Sequence, residues 1–139
     1  MPITQAMCSS FKQQILLAEH DMDTDTFKIA LYTSTATLDA TTTVYSTTNE
    51  ITGTGYTAGG NTLTGATVSL TGTTAFVDFS DTSWTTATIT ARGALIYNSS
   101  KSNKAVAGLD FGADKISSGG TFTIQFPTND ASSAIVRIA

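Results

Sequence analysis

The chain has 139 residues, the size of one domain, and a domain of this length buries about two-thirds of its unfolded surface, so it needs no disulfide or metal to fold. Its net charge is −4 and its seven basic residues are scattered, which argues against nucleic-acid binding because phosphates are neutralised by clustered lysine and arginine. No apolar run approaches the roughly 18 residues that a membrane-spanning helix needs, so we expect neither a nucleic acid nor a membrane as partner.

The N-terminus and the cysteine content bear on where the chain is made. No basic region followed by an apolar core opens the sequence, so we expect no secretory signal. Cys8 is the single cysteine, which excludes an internal disulfide and suits synthesis in a reducing cytosol.

Threonine dominates the composition. It makes up roughly a fifth of the chain, well above ordinary usage, while charged residues account for only 13%. Threonine favours strands and keeps a surface polar without charge. This composition fits a β protein with threonine on its solvent faces, and equally a protein that packs against neighbours, because few charges must then be desolvated.

The first segment predicts a helix. Its apolar residues fall on one helical stripe, formed by Ile3, Met7, Phe11 and Ile15. We therefore expect residues 1–20 to form an amphipathic helix that packs on a sheet, with Pro2 in the first turn, where a helix tolerates proline. Leu17 lies off the stripe and is a candidate for contact with a partner.

Three acids, at positions 21, 23 and 25, follow this helix with the spacing that opens an EF-hand calcium loop. The sixth position of such a loop is Thr26 rather than glycine, and the twelfth is Tyr32 rather than glutamate. The EF-hand interpretation therefore fails. We expect a polar turn here, and no metal site is assigned; a loose cation site is the alternative.

The remainder of the chain predicts strands. Residues 24–33 (TDTFKIALYT) alternate apolar and polar side chains as a half-buried strand does. Further strands are expected at residues 63–70, 74–79, 86–97, 105–111, 121–126 and 134–138, with a loop at residues 112–120. Short strands separated by turns indicate a sandwich, either a jelly roll or immunoglobulin-like. The chain is thus expected to be one mainly β domain over residues 1–139, with the sandwich at residues 24–139.

Residues 34–60 form a long polar stretch with no regular period. Its glycines loosely resemble a dinucleotide-binding fingerprint, but the spacing and the strand-then-helix context are missing, so no cofactor is expected. Long irregular segments in compact domains are usually functional, and we interpret this one as an arm that contacts a neighbour and can be removed without unfolding the sandwich. The candidate contact residues on it are Thr47, Asn49, Glu50, Thr52, Thr54, Tyr56 and Thr57.

The sequence offers no catalytic group. The single histidine, His20, and the single thiol, Cys8, would lie about 18 Å apart on one helix at ~1.5 Å rise per residue, too far for a nucleophile and its base. Zinc ligands are too few. Acids such as Asp78 and Asp110 fall on different predicted segments, so no glycosidase-like pair is indicated. We expect a protein that is not an enzyme, with His20 structural or solvated.

Two further features have alternative interpretations. Trp84 and the tyrosines at positions 32, 45, 56 and 97 could form a sugar-binding platform, as in a carbohydrate-binding adhesin. The other interpretation is that Trp84 and Tyr97 pack in the core and the other tyrosines are partly exposed. Arg92 lies on the alternate face of the longest strand, where it can pair with an acid across the sheet or across a subunit boundary, and it is therefore another candidate interface residue.

Five blocks of the sequence together resemble small structural proteins of tailed-bacteriophage virions. The blocks are residues 24–33, 47–60, 88–97 (TITARGALIY), 109–115 (LDFGADK) and 120–126 (GTFTIQF). The resemblance covers nearly the whole chain. It implies a non-enzymatic, oligomeric virion component, and it is greatest to jelly-roll head decoration (cement) proteins, which bridge and stabilise capsomers. A tail or fibre-attachment component is the alternative.

This resemblance sets the remaining expectations. The partner would be the major capsid protein or another virion protein, together with further copies of the chain itself as a dimer or trimer. The protein would be made in the cytoplasm of the bacterial host and would lie on the capsid surface of the virion.

Overall fold

A computed structural model describes residues 3–139, which form two antiparallel β-sheets and one short helix. The elements in chain order are β1 (Ala6–Met7), α1 (Ser9–Leu16), β2 (Phe27–Tyr32), β3 (Asn61–Thr62), β4 (Thr67–Thr71), β5 (Thr74–Asp78), β6 (Thr82–Asn98), β7 (Lys104–Ile124) and β8 (Val136–Ile138). The five-stranded sheet has the order β1-β7-β6-β2-β3, and the three-stranded sheet the order β4-β5-β8. The expected mainly β sandwich with one N-terminal helix is confirmed.

The core lies between the two sheets and around the central strands of the larger one. Five of the six residues of β2 are buried, and so is every residue of β6 from Gly93 to Asn98. The sequence predicted a half-buried β2, but Ala30 and Tyr32 are buried as well as Phe27, Ile29 and Leu31. Both faces of this sheet are therefore covered here, which strand periodicity by itself does not reveal.

The predicted helix over residues 1–20 is too long. Residues Ala6 and Met7 instead form β1, which pairs with Gly108 and Ala107 of β7, and the helix runs only from Ser9 to Leu16. The Cys8 N–H donates to the Val106 carbonyl oxygen at 2.9 Å, so the sheet holds this segment extended up to the start of the helix. Pro2 lies outside the described residues.

The stripe of apolar residues faces inward as predicted, although the backbone of its first half is extended. Ile3 and Phe11 are buried, and Met7 and Ile15 pack against the core. Residues 3, 7, 11 and 15 thus predicted the buried side correctly and the backbone conformation only in part. Leu16, which follows the stripe, is 88% exposed.

A single long strand, β7, covers the segments that were predicted as two strands and a loop between them. β6 offers partners along its whole length, from Thr82 to Asn98, and residues 112–120 continue the pairing with it. The register of this pairing is irregular. Ala91 pairs with Lys115 and Gly93 with Asp110, so β7 spans five residues where β6 spans two. Extra residues on one strand of a pair bend that strand.

The other predicted strands are found with shifted ends. Residues 74–79 give β5 and residues 134–138 give β8, whereas residues 63–70 divide between β4 and an irregular link that follows β3. β4 and β5 form a hairpin, and β8 adds to the far side of β5. Phe27 of one sheet contacts Phe79 at the end of β5, with ring centroids 5.9 Å apart.

Residues 34–60 pack on the sandwich and are not an arm. The Ile51 N–H donates to the Leu31 carbonyl and the Thr33 N–H to the Asn49 carbonyl, both at 3.0 Å, and Ala36 and Ile51 are buried. The accessible surface of the chain is 6929 Å², close to the roughly 6,900 Å² expected of a compact monomer of this mass. Residues 41–60 contribute Ile51 to the core, so we expect their deletion to destabilise the sandwich, contrary to the prediction that they can be removed without unfolding it.

Candidate interaction surface

Glu50 is the polar centre of the 34–60 segment. Its carboxylate accepts a hydrogen bond from the Tyr45 hydroxyl at 2.6 Å, from the Tyr56 hydroxyl at 2.5 Å and from the Gly59 N–H at 2.8 Å. Hydrogen bonds to an ionised acceptor are the stronger kind. One half-buried carboxylate therefore ties together three points of an otherwise irregular segment.

The tyrosines extend this network to the central strands. The Tyr97 hydroxyl donates to the Gly59 carbonyl at 2.6 Å, and the Tyr32 hydroxyl donates to the Ser46 carbonyl at 2.6 Å. The rings of Tyr45 and Tyr97 stack with centroids 4.5 Å apart. Burial raises the pKa of Tyr97 to about 12, because the charged phenolate would lose its hydration there.

These aromatic residues are used inside the molecule. Trp84 is buried and lies 5.9 Å from the ring of Tyr56 and 6.1 Å, edge-on, from that of Phe122. The hydroxyls of all four tyrosines donate to groups of the 34–60 segment. The interpretation of Trp84 and Tyr97 as core residues is confirmed, and the five aromatic residues do not form an exposed platform of the kind that stacks on sugars.

Next to this network a groove of about 570 Å³ separates the segment from β6. It is lined by Thr33, Ser34, Glu50, Ile51, Thr52, Gly53, Thr54, Thr88, Thr90 and Asp114. Thr88 and Thr90 point into it because they alternate along β6 with the buried Ala87, Ile89 and Ala91. The Thr88 N–H donates to the Thr54 carbonyl at 2.9 Å, so two of the lining residues are joined by a backbone hydrogen bond. We refer to this feature as the threonine groove.

Three of the candidate contact residues meet in the threonine groove: Glu50, Thr52 and Thr54. Tyr56 supports it from behind through its hydrogen bond to Glu50. The others on the segment, Thr47, Asn49 and Thr57, are exposed but do not line it. That these residues contact a partner stays a prediction.

The other two candidates lie outside the groove. Arg92 shares the exposed face of β6 with Thr90, and its Nε lies 3.3 Å from the Asp110 carboxylate, within the same chain. A backbone N–H from Gly112 and the Arg92 guanidinium together lower the pKa of Asp110. Leu17 is 61% exposed at the end of α1 and does not line the groove.

His20 and its neighbours form a buried network under the helix. The Asn98 side-chain nitrogen donates to Nδ1 of His20 at 3.0 Å and to the Asp25 carboxylate at 2.8 Å. Since Nδ1 accepts, Nε2 carries the proton and donates to the Gln14 side-chain oxygen at 2.8 Å. Burial lowers the pKa of His20, so the neutral ring is the stable form. The structural role expected for His20 is confirmed.

Cys8 is also a packed residue. Its side chain is fully buried, and burial raises the pKa of the thiol to about 11. A buried thiol with a raised pKa is a poor nucleophile, because the thiolate is the reactive form.

The structure also has an exposed apolar patch that was not predicted from the sequence. Three of its side chains are more than half exposed: Val68 and Leu70 of β4, and Ile138 of β8. The pairing of β4 and β8 with β5 places all three on one face of the three-stranded sheet. An apolar cavity of about 150 Å³ separates this face from Phe11, Ile15 and Met22, among others. The available signal was a strand, TVSLT, whose apolar residues alternate with threonine and serine and have no charge between them.

Residues 3–139 contain neither a metal-binding cluster of side chains nor a helix that could span a membrane. Within that range the histidine, cysteine and acidic side chains nowhere gather in a group of three or more that could hold a metal ion. No helix in the same range has the length and apolar character to cross a membrane. Comparison of the chain with protein-family models, with curated protein sequences and with solved structures finds no match.

Proposed function

We propose that the protein is a structural component of a tailed-phage virion, and within that class a decoration protein that binds the outside of the head across neighbouring capsomers. Two lines of reasoning support the proposal. The five sequence blocks resemble such proteins over nearly the whole chain. The threonine groove is a surface suited to binding another protein, and it is the observation on which the proposal rests.

The groove suits this task because its lining is uncharged apart from Glu50 and Asp114 and because it is held in place. Hydroxyl groups cost less to desolvate than charged groups do, and most of the groove is lined by threonine, serine and backbone. The Glu50 network fixes the 45–59 part of the segment before any partner arrives. A surface that is already ordered loses little conformational entropy on binding.

The size of the chain is sufficient for specific attachment. A standard interface takes roughly 800 Å² from each partner, a small part of the 6929 Å² that this chain exposes. Symmetry would repeat the contact over the shell. With only 13% charged residues, the attachment should depend weakly on salt, in contrast to an association driven by opposite charges.

The first experiment locates the protein and removes it. Electron micrographs of virions labelled for the protein should show signal on heads, and quantification should give hundreds of copies per particle. Particles that lack the protein should assemble but burst at lower temperature or milder osmotic shock. Label confined to the tail, a few copies per particle and fully stable heads would overturn the head assignment in favour of the tail or fibre alternative.

A second experiment tests the groove itself. Thr52→Lys and Thr54→Lys place a charged side chain in the groove, while Thr73→Lys, at the exposed turn between β4 and β5, is the matched control. We expect purified wild-type protein and Thr73→Lys to rebind depleted heads, and the two groove variants to rebind at least tenfold less. Equal rebinding by all four proteins would show that another surface makes the contact.

A further inference from the structure

The outer edge of β7 is open over the second half of the strand. β7 pairs with β6 on one side, and on its other side with β1 only at Ala107 and Gly108. Within residues 3–139, the stretch from 111 to 124 makes no backbone–backbone hydrogen bond on that outer side. Alternate residues of an edge strand direct their N–H and C=O groups outward, so this edge can accept another strand.

Residues 116–125 of this edge lack the usual protection against such pairing. Natural edge strands are commonly guarded by lysine, proline, inward-pointing charges or a very short length. Residues 116–125 of this chain (ISSGGTFTIQ) contain neither a charged residue nor a proline. Before Gly120, register shifts place extra residues on β7 and bend it. Between Gly120 and Ile124 the extra residue belongs to β6 instead. This last part of β7 is therefore a continuous extended run.

There is space beside this run. A cavity of about 400 Å³ is bordered by residues of both strand faces: Phe122 and Ile124 from the buried face, and Thr121, Thr123 and Gln125 from the exposed face. Because both faces border the same cavity, the cavity lies at the edge of the strand. Phe111, Lys115 and Ile116 also line it, and Ile116 is 72% exposed. A strand added about 4.8 Å from β7 would enter this space.

We propose that residues 121–125, at the end of β7, pair antiparallel with the same residues of a second copy of the chain, around a twofold axis at Thr123. This register places Phe122 opposite Ile124 on the buried face. On the exposed face it places Thr123 opposite itself and Thr121 opposite Gln125. Each copy thus presents the same patch to the other, as a twofold interface requires, and the five-stranded sheet continues across it.

The charge distribution favours a second copy as the occupant. Each chain carries a net charge of −4, which opposes self-association, yet no charge lies within the paired run, where like charges would face each other and destabilise the pair. Lys115 precedes the run and Asp130 follows it. Asp81 also lies at that end, where its carboxylate accepts a hydrogen bond from the Phe126 N–H at 2.8 Å, so an antiparallel twofold brings the Lys115 end of one copy to an acidic end of the other.

The proposal does not depend on the head assignment, because a dimer of the purified chain needs no virion. The test is sedimentation equilibrium of the full chain over a concentration series, for the wild type, Thr123→Lys and Ser83→Lys. Ser83 is the partner of Thr123 across β6 and β7, and their hydroxyl oxygens lie 3.0 Å apart. Both variants therefore lose the same hydrogen bond, but only Thr123→Lys places two like charges at the twofold axis.

We expect the wild type and Ser83→Lys to double in mass with rising concentration, and Thr123→Lys to stay monomeric while its circular dichroism shows it folded. A monomeric wild type at every concentration, or a Thr123→Lys variant that dimerises as the wild type does, would overturn the proposal. If Thr123→Lys fails to fold, Thr123→Cys decides. Side chains directly opposite on antiparallel strands have Cβ atoms about 4.5–5.5 Å apart, so mild oxidation should link Thr123→Cys, and not Ser83→Cys, into a covalent dimer; equal linking of both would count against it.

Discussion

Replacing Glu50 by alanine should release the 34–60 segment from the sandwich. The substitution removes the acceptor of three hydrogen bonds, from the hydroxyls of Tyr45 and Tyr56 and from the Gly59 N–H. It leaves those donors without their partner beside the buried Ile51. The loss should therefore appear as reduced stability of the whole domain and not merely as local motion.

The size of the effect follows from the kind of bond. A hydrogen bond to a charged group contributes about 1.5–3 kcal/mol, but Glu50, Tyr45 and Tyr56 are only partly buried, so water replaces some of the lost contacts. We expect a destabilisation of about 3–5 kcal/mol for the three bonds together, a large share of the 5–15 kcal/mol typical of a domain. Unfolding entropy of about 2.1 cal/mol/K per residue converts this into a fall of roughly 10–17 °C in Tm.

Thermal and urea unfolding, followed by circular dichroism and by the fluorescence of Trp84, measure this change. Glu19→Ala is the matched control, since Glu19 makes one ion pair, with Lys104 at 3.4 Å, and both side chains are about one-third exposed. Such a pair contributes at most about 1 kcal/mol, so the control should lose less than about 4 °C. If Glu50→Ala loses no more than Glu19→Ala, the carboxylate does not hold the segment and the reasoning fails.

Two more substitutions test other parts of the structure. The pKa of His20 is lowered by burial, so the unfolded chain binds the proton more readily; stability should be complete above about pH 6.5, the ordinary histidine pKa, and fall as the pH drops below it. Protonation would also make Nδ1 a donor that faces another donor, the side-chain nitrogen of Asn98. The pH dependence of the unfolding free energy between pH 5 and pH 6.5 should therefore flatten in His20→Gln. An unchanged slope would show that another group causes it. A Cβ added to Gly60, which has a φ of +76°, would collide with the Ile29 carbonyl, whereas one added to Gly72, with a φ of +59°, meets nothing. Gly60→Ala should therefore lower the urea midpoint severely or prevent folding, while Gly72→Ala should cost only the 1–2 kcal/mol of the left-handed backbone; equal midpoints would contradict the packing around Gly60.

Local patterns determined much of the fold. Alternation along residues 74–79, 86–97 and 134–138 predicted β5, the larger part of β6, and β8, because a strand with one face on a core needs an apolar side chain at every second position. The stripe of residues 3, 7, 11 and 15 predicted which side of the N-terminal segment is buried. The same stripe could not decide between helix and strand at residues 3–8, since the deciding hydrogen bond comes from Cys8 to Val106, on a distant strand.

The candidate surface was predictable only in part. The sequence pointed to Glu50, Thr52 and Thr54 through the irregular, polar character of their segment. It gave no sign that Thr88, Thr90 and Asp114 would complete the groove, because those residues come from strands far along the chain. It also left an exposed platform open as an alternative to the core for the tyrosines, since an aromatic ring with a hydroxyl suits either place.

The sequence by itself determined a single mainly β domain with a weakly charged, threonine-rich surface, because these properties follow from length, composition and period. The tertiary structure decided that residues 34–60 pack, that residues 112–120 continue β7, and which edge of the sheet stays open. Each of these depends on pairing between positions that are distant in the chain: Glu50 must meet the tyrosines, and β6 must offer β7 a partner along its full length. Such pairing is chosen by the packing of the whole domain, and no local window of residues contains it.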